Sequence, residues 1–329
     1  MARPLAVNAT FERGGGPTST TVWVNDGLRS VSPSSHILTM SIATSAEGLV
    51  AHSRAASHIV DALIEERAPH FVASPAWPLM RPALYALLGY RQARRLAHDV
   101  AHLGGRAAFE HLSALLALRT EASGLERIPR QGRLMIVCNH PASVADGVAV
   151  YDLLKAIRPD LCFFANADIF RVCPALDEMM IPVEWADGKR TRERTRHTLQ
   201  RAKEAFEAER AVMIFPAGQL ARRKNGRLTD EAWAPSALSL ARRYNAPVAP
   251  MHLAGPSSTL FHIFDRISTE LRDVTLFHEL LNKRHARYRL RVGPLVSPAA
   301  LDPDAAVATA AMKAYVEQVL PAELDRPAV

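Results

Sequence analysis

The chain has 329 residues, 48% hydrophobic and 22% charged, the balance of an ordinary globular protein, which excludes a fibrous or wholly disordered chain. Forty Lys and Arg against 33 Asp and Glu leave a net charge of +7, a surface that attracts anions such as phospholipid head groups or nucleotide phosphates. No nucleic-acid motif accompanies that charge, so nucleic acid is not an expected partner.

Residues 1–35 are rich in Gly, Ser, Thr, Pro and Asn, with Gly14-Gly15-Gly16 and Pro33, and read as a flexible tail. This start lacks the apolar core of a signal peptide, and no apolar run reaches the roughly 18 residues of a membrane span. The expectation is a cytoplasmic chain. Residues 36–122 form an N-terminal helical region, although 36–50 fits a strand or a helix start equally well. From Ser53 to Arg119 the apolar spacing is helical. One helix carries Ile59, Ala62, Leu63 and Ile64, a second starts near Pro82, and a third carries Ala108, Phe109, Leu112, Leu115 and Leu116. Trp77, Tyr85 and Leu88 beside Arg91, Arg94 and Arg95 suit an interfacial helix and equally an ordinary packing helix. His98 and His102 lie one helical turn apart, but no third ligand pairs with them, so no metal is expected.

From residue 123 to 329 strands and helices alternate, which predicts an α/β domain with a mixed, mostly parallel sheet flanked by helices. Leu134 to Val137 reads as a buried strand, followed by the turn Asn139-His140-Pro141 and a helix from about Ala145. Further strands are expected at Leu161–Ala165, Ile181–Glu184, Ala211–Phe215 and Val248–Leu253, with an alternating edge strand at Arg287–Val292. Helices are expected at Thr191–Glu209, Trp233–Tyr244, Leu260–Leu281 and Pro303–Leu320. Cys138, Cys162 and Cys173 are odd in number and sit in or beside apolar segments, as reduced core residues do.

The strand, turn and helix around His140 place a histidine at the carboxyl end of a buried strand, with Asp146 at the mouth of the next helix. Open α/β sheets bind their ligands there. A hydroxyl is a poor nucleophile, and a histidine whose second ring nitrogen rests on a carboxylate is a suitable base for it. The plainer reading makes Asp146 a helix cap and Asn139 and His140 turn residues. Lys189, Arg190, Arg192, Arg194 and Arg196 crowd a helix start, where the macrodipole disfavours cations and an anionic ligand would offset the repulsion. Arg222, Arg223 and Lys224 follow Gly218 after another strand end, a second candidate for phosphate binding.

Asn139-His140 with Asp146-Gly147, then Ile181-Pro182-Val183 with the basic run to Arg196, then Phe215-Pro216-Ala217-Gly218 with Arg222, then Ala246-Pro247-Val248-Ala249-Pro250 stand in that order. Together they resemble the motif blocks of the glycerolipid acyltransferase superfamily, the lysophospholipid and 1-acylglycerol-phosphate acyltransferases. The resemblance implies an acyltransferase catalytic domain at 123–329 that moves a fatty acyl group from acyl-CoA or acyl-carrier protein to a lipid hydroxyl. His140 would be the base and Asp146 its partner. Asn139, Gly147, Arg190, Arg192, Arg194, Phe215, Pro216, Gly218, Gln219 and Arg222 would bind substrate, with oxyanion donors near Gly147 or Gly218. No bound cofactor is implied. The expected setting is the inner face of the cytoplasmic membrane, with peripheral attachment. This chain departs from the family in the third block, where Ala217 replaces the usual Glu. Three other readings stand beside this one: a thioesterase or lipase using Cys138 or Ser143, an N-acyltransferase, and a lipid-binding homologue without chemistry.

Overall fold

The computed structural model describes residues 58–184, 190–224 and 226–329. The expected tail at 1–35, and the segment 36–50, lie outside these residues. A seven-stranded sheet runs through the molecule: β1 (Arg119–Ser123), β2 (Leu134–Cys138), β3 (Cys162–Asn166), β4 (Met180–Val183), β5 (Ala211–Ile214), β8 (Val248–Ala254) and β9 (Arg287–Val292). Their order is β1-β9-β8-β2-β5-β3-β4, with β6 (Arg222–Lys224) and β7 (Arg227–Thr229) forming a separate hairpin. Strands β8, β2, β5, β3 and β4 are mutually parallel. β9 runs antiparallel to β8 and parallel to β1. The sheet is therefore mixed and mostly parallel, as expected.

The central strands are apolar throughout because both faces are covered. In β2, Leu134, Ile136 and Cys138 belong to the core on one side and Met135 and Val137 to the core on the other, the two-residue period of an extended chain. The first core also takes in Val60, Leu63, Leu96 and Phe109 from the N-terminal helices and Val148 to Leu154 from the helix after β2. The second is closed by Ala202 and Phe206, Leu238 and Ala241, and Met312 and Val316. The described N-terminal helices thus share one apolar core with the sheet.

Several elements differ from expectation. The single helix expected near Pro82 is two, Trp77–Leu87 and Tyr90–Val100; between them Gly89 takes φ +69, a left-handed conformation that ends the first. Leu260–Leu281 is three short helices, because Ser268 is extended and its hydroxyl accepts the Glu270 N–H to start a new one. Arg287–Val292 is a strand, but an interior one, paired on both sides. Its alternation reflects one open face, with Arg287 and Arg289 exposed and Tyr288, Leu290 and Val292 buried. The closing helix spans Ala305–Ala314 and continues as a π-helical turn over Tyr315–Val319. β1 and the β6–β7 hairpin were not expected: Arg119–Ser123 is polar, and the hairpin strands are three residues each. All three cysteines are buried and free. No described helix is long and apolar enough to cross a membrane.

Candidate active site

β2 is the fourth of seven strands, and the turn that leaves it is tied down on both sides. Asn139 donates its amide Nδ2 to the Leu253 carbonyl at 2.9 Å and accepts the Leu253 N–H at 2.7 Å, which extends the pairing of β2 with β8. Both polar ends of Asn139 are spent on the scaffold. The next residue, His140, donates its backbone N–H to the Asp230 carboxylate at 3.1 and 3.3 Å, and its carbonyl accepts the Ala221 N–H at 2.8 Å. Ser143 Oγ accepts the Ala145 N–H at 3.0 Å, shaping the entry to the helix Ala145–Leu154.

Asp146 lies in the first turn of that helix with no exposed side-chain surface, and its Oδ2 is 2.8 Å from His140 Nδ1. The same oxygen accepts the Ala142 N–H at 3.0 Å. The helix has Val144 as its N-cap, with no side-chain cap bond, so Asp146 is not its cap; the carboxylate closes the preceding turn and holds the ring. Resting on Asp146, Nδ1 carries the proton in the neutral tautomer and leaves Nε2 as the basic nitrogen. The ring keeps 16% of its side-chain surface accessible and stacks on Phe215 with centroids 4.1 Å apart and planes 12° from parallel. Phe215 follows β5, the neighbour of β2, so the first and third motif blocks meet face to face.

Behind Phe215 the chain turns through Pro216, whose carbonyl accepts the Ala234 N–H at 2.9 Å, and through Gly218 at φ +67. A side chain at Gly218 would strain that left-handed turn. The Gly218 N–H donates to the Phe215 carbonyl at 3.0 Å and the Gly147 N–H to Val144 at 3.2 Å. These two amides are spent within the chain rather than free for an oxyanion. Gln219 Oε1 accepts from Arg222 at 3.1 Å, and Arg222 also lies 3.7 Å from Glu231 and 3.6 Å from Asp265.

The second basic group lies elsewhere. Arg190, Arg192 and Arg194 stand at the start of the helix Arg192–Glu207, next to the edge strand β4, three places from β2. Arg194 pairs with Glu184 at 2.7 Å, and Arg190 Nε donates to the Glu184 carbonyl at 3.1 Å. A cleft of about 720 Å³ opens beside them, lined among others by Arg171, Arg194, His197, Arg201, Asp177 and Glu184. Its charges are mixed rather than uniformly basic.

Asp230 has no motif around it in the sequence, yet it is 2% exposed and sits under the His140 main chain, also accepting Trp233 Nε1–H at 2.8 Å. Burial raises its carboxyl to about 6, against the lowering effect of the Trp233 and His140 N–H bonds. A structural signal could have found it only through the fold, since 90 residues separate it from His140. Cys138 and Ser143 are both fully buried, and burial pushes the Cys138 thiol well above its usual range. Neither is an accessible nucleophile.

A histidine held by a buried carboxylate, at the carboxyl end of the middle strand of a mostly parallel sheet and open on one side, is an arrangement chemically able to act as a general base. Comparison with known proteins shows what this stretch is similar to. Residues 119–254 match the Acyltransferase family, a stretch that contains the dyad, Phe215 and Asp230. The match covers this domain, less than half of the chain, and agrees with the resemblance to the glycerolipid acyltransferase superfamily. It is 27% identical over 194 residues to a lyso-glycine lipid O-acyltransferase of Phocaeicola vulgatus, covering 57% of this chain and 66% of the relative. To the lyso-glycine lipid O-acyltransferase of Bacteroides thetaiotaomicron it is 24% identical, covering 57% and 68%. The matched stretch thus spans about two thirds of these relatives. Among solved structures, the 1-acyl-sn-glycerophosphate acyltransferase PlsC of Thermotoga maritima aligns with a TM-score of 0.43 at 13% identity, over 75% of this chain and 98% of that one.

Proposed function

We propose that the chain is a lipid O-acyltransferase that moves a fatty acyl group from a thioester, acyl-CoA or acyl-carrier protein, to the hydroxyl of a lysolipid. The observation that carries this reading is the dyad itself: His140 Nδ1 on the buried Asp146 at 2.8 Å, with the ring partly open. His140 Nε2 takes the acceptor's hydroxyl proton as the oxygen attacks the thioester carbonyl. The carbon–sulfur bond then breaks, and the thiolate leaves with the proton returned from the imidazolium. Asp146 steadies that imidazolium. No acyl-enzyme is needed, in keeping with the burial of Cys138 and Ser143. The relatives' names make a lyso-glycine lipid the first acceptor to try, with lysophosphatidic acid beside it.

Peripheral attachment to a membrane is part of the same proposal. The helix Trp77–Leu87 leaves Leu79 85% and Leu87 52% exposed, and Arg81, Arg91, Arg94 and Arg95 are exposed beside them. Apolar residues flanked by arginines suit the boundary between acyl chains and anionic head groups.

The deciding experiment measures thiol release from long-chain acyl-CoA by the purified chain, with and without each lysolipid, beside His140→Ala. Release that requires an acceptor and vanishes in the variant is the expected result. Equal release without acceptor would make the protein a thioesterase.

A further inference from the structure

Asp146 has two oxygens, and only one is accounted for. Oδ2 takes both His140 Nδ1 and the Ala142 N–H, whereas Oδ1 is fully buried and without a hydrogen-bond partner. A buried carboxylate oxygen with nothing to accept is costly and uncommon. Tyr288 has the matching deficit. It projects from β9, is completely buried, and its hydroxyl also lacks a partner.

Both lie at the same end of the sheet, since β9 pairs with β8 and Leu253 of β8 holds Asn139, the neighbour of His140. The groups acting on the Tyr288 phenol include the Asp146 carboxylate and the Ser143 hydroxyl, although neither meets the geometry of a direct hydrogen bond. Burial and the Asp146 charge push the phenol far above its ordinary range, so it keeps its proton at any working pH. It can act on a carboxylate only as a donor. Gly255, the residue after β8, makes the approach possible: a Cβ there would stand 2.4 Å from Tyr288 Cε1 and 2.7 Å from Cδ1. A strand two places from β2 is thereby able to bring a phenol to the back of the dyad.

We infer that Tyr288 is a positioning residue for the dyad, its hydroxyl donating to Asp146 Oδ1 and so holding Oδ2 on the His140 ring. The inference rests on the reading of His140 as the base. It assigns the phenol no contact with substrate. The other charged groups nearby are Glu279, buried and paired with Lys283 at 3.1 Å, and, on the His140 side, Asp230 with Glu317 behind it.

The test is Tyr288→Phe in the full chain, which keeps the ring and removes only the hydroxyl. Three quantities are read: acceptor-dependent thiol release, the titration of the His140 ring by NMR, and the thermal midpoint. Without its donor, Asp146 holds the imidazolium proton more tightly. The His140 titration is therefore expected to move to higher pH, the acid limb of the rate profile to follow it, and kcat to fall about tenfold with KM unchanged. In an Asp146→Asn background the same substitution should add nothing. An unmoved His140 titration overturns the inference, whether the midpoint rises, as it would on deleting a hydroxyl that has no partner, or falls from lost packing. If the wild-type chain transfers no acyl group, the NMR titration still decides for Tyr288, while the acyltransferase reading fails separately.

Discussion

The turn at His140 and the basic helix start at Arg190 both lie in stretches that resemble motif blocks, and they are built in opposite ways. Around His140 most backbone and side-chain groups have a fixed and mostly buried partner: Asn139 on Leu253, His140 on Asp230 and Ala221, Asp146 on Ala142. At the edge of the sheet, Arg190, Arg192 and Arg196 are exposed, and the Arg194 side chain is 55% accessible while it pairs with Glu184. Proton transfer needs a base held within a few tenths of an ångström. Attraction of an anion needs charge at a surface, where long side chains can adjust. Substitutions in the first region should therefore act on kcat, and those in the second on KM.

The largest effect belongs to His140, the base of the proposed reaction. His140→Ala is expected to lower kcat about a thousandfold, the middle of the range for general-base catalysis, and Asp146→Asn about a hundredfold, by offering the ring the wrong hydrogen-bonding partner. Steady-state thiol release reads both; a loss confined to KM in either would dissolve the contrast between the two regions. Asp230→Asn comes next, with kcat down about tenfold because the turn loses a charge-assisted tie to the His140 N–H. It has a second signature. Raised to about 6 from 3.8, Asp230 binds its proton more tightly in the native state than in the unfolded chain. Its contribution to stability is full below about pH 4 and declines, by about 3 kcal/mol, as pH rises through about 6. Urea midpoints between pH 4 and 7 should show that decline in the wild type and a flatter profile in the variant.

Much of this contrast was legible in the sequence, and the reasons differ by element. β2 and the helix after it were readable because an apolar run, a Pro turn and a helical repeat follow one another without ambiguity. The pairing of His140 with Asp146 was readable from six-residue spacing across that turn. Asp230 and Tyr288 were not, since each reaches the dyad only through tertiary structure: one from a loop after the β6–β7 hairpin, the other from a strand whose neighbours were unknown. β1 was illegible for a related reason. Its five residues, Arg-Thr-Glu-Ala-Ser, carry no apolar signal, and their register comes entirely from β9.

A smaller effect concerns the surface helix Trp77–Leu87. Leu79→Ser with Leu87→Ser removes the two most exposed leucines of that helix and should weaken binding to anionic vesicles about tenfold, with thiol release from a water-soluble acyl donor unchanged. Cosedimentation with vesicles measures this, and undiminished binding would transfer the membrane contact to another surface.

The smallest effect tests the second region most sharply. The Arg194 side chain is 55% accessible and that of its partner Glu184 9%, and pairs open to water on one side contribute about 1 kcal/mol to stability or less. Arg194→Ala should lower the thermal midpoint by about 2–4 °C or less. If the helix start attracts an acidic group of donor or acceptor, KM should rise about threefold at low salt. The difference should shrink at several hundred millimolar salt as the screening length contracts. kcat should not change, since Arg194 is three strands away from β2. Unchanged KM at every salt concentration would make the basic cluster a solvated face. A fall in kcat would mean that the edge of the sheet and the His140 turn move together, and the separation between a rigid catalytic interior and an adjustable binding edge would have to be abandoned.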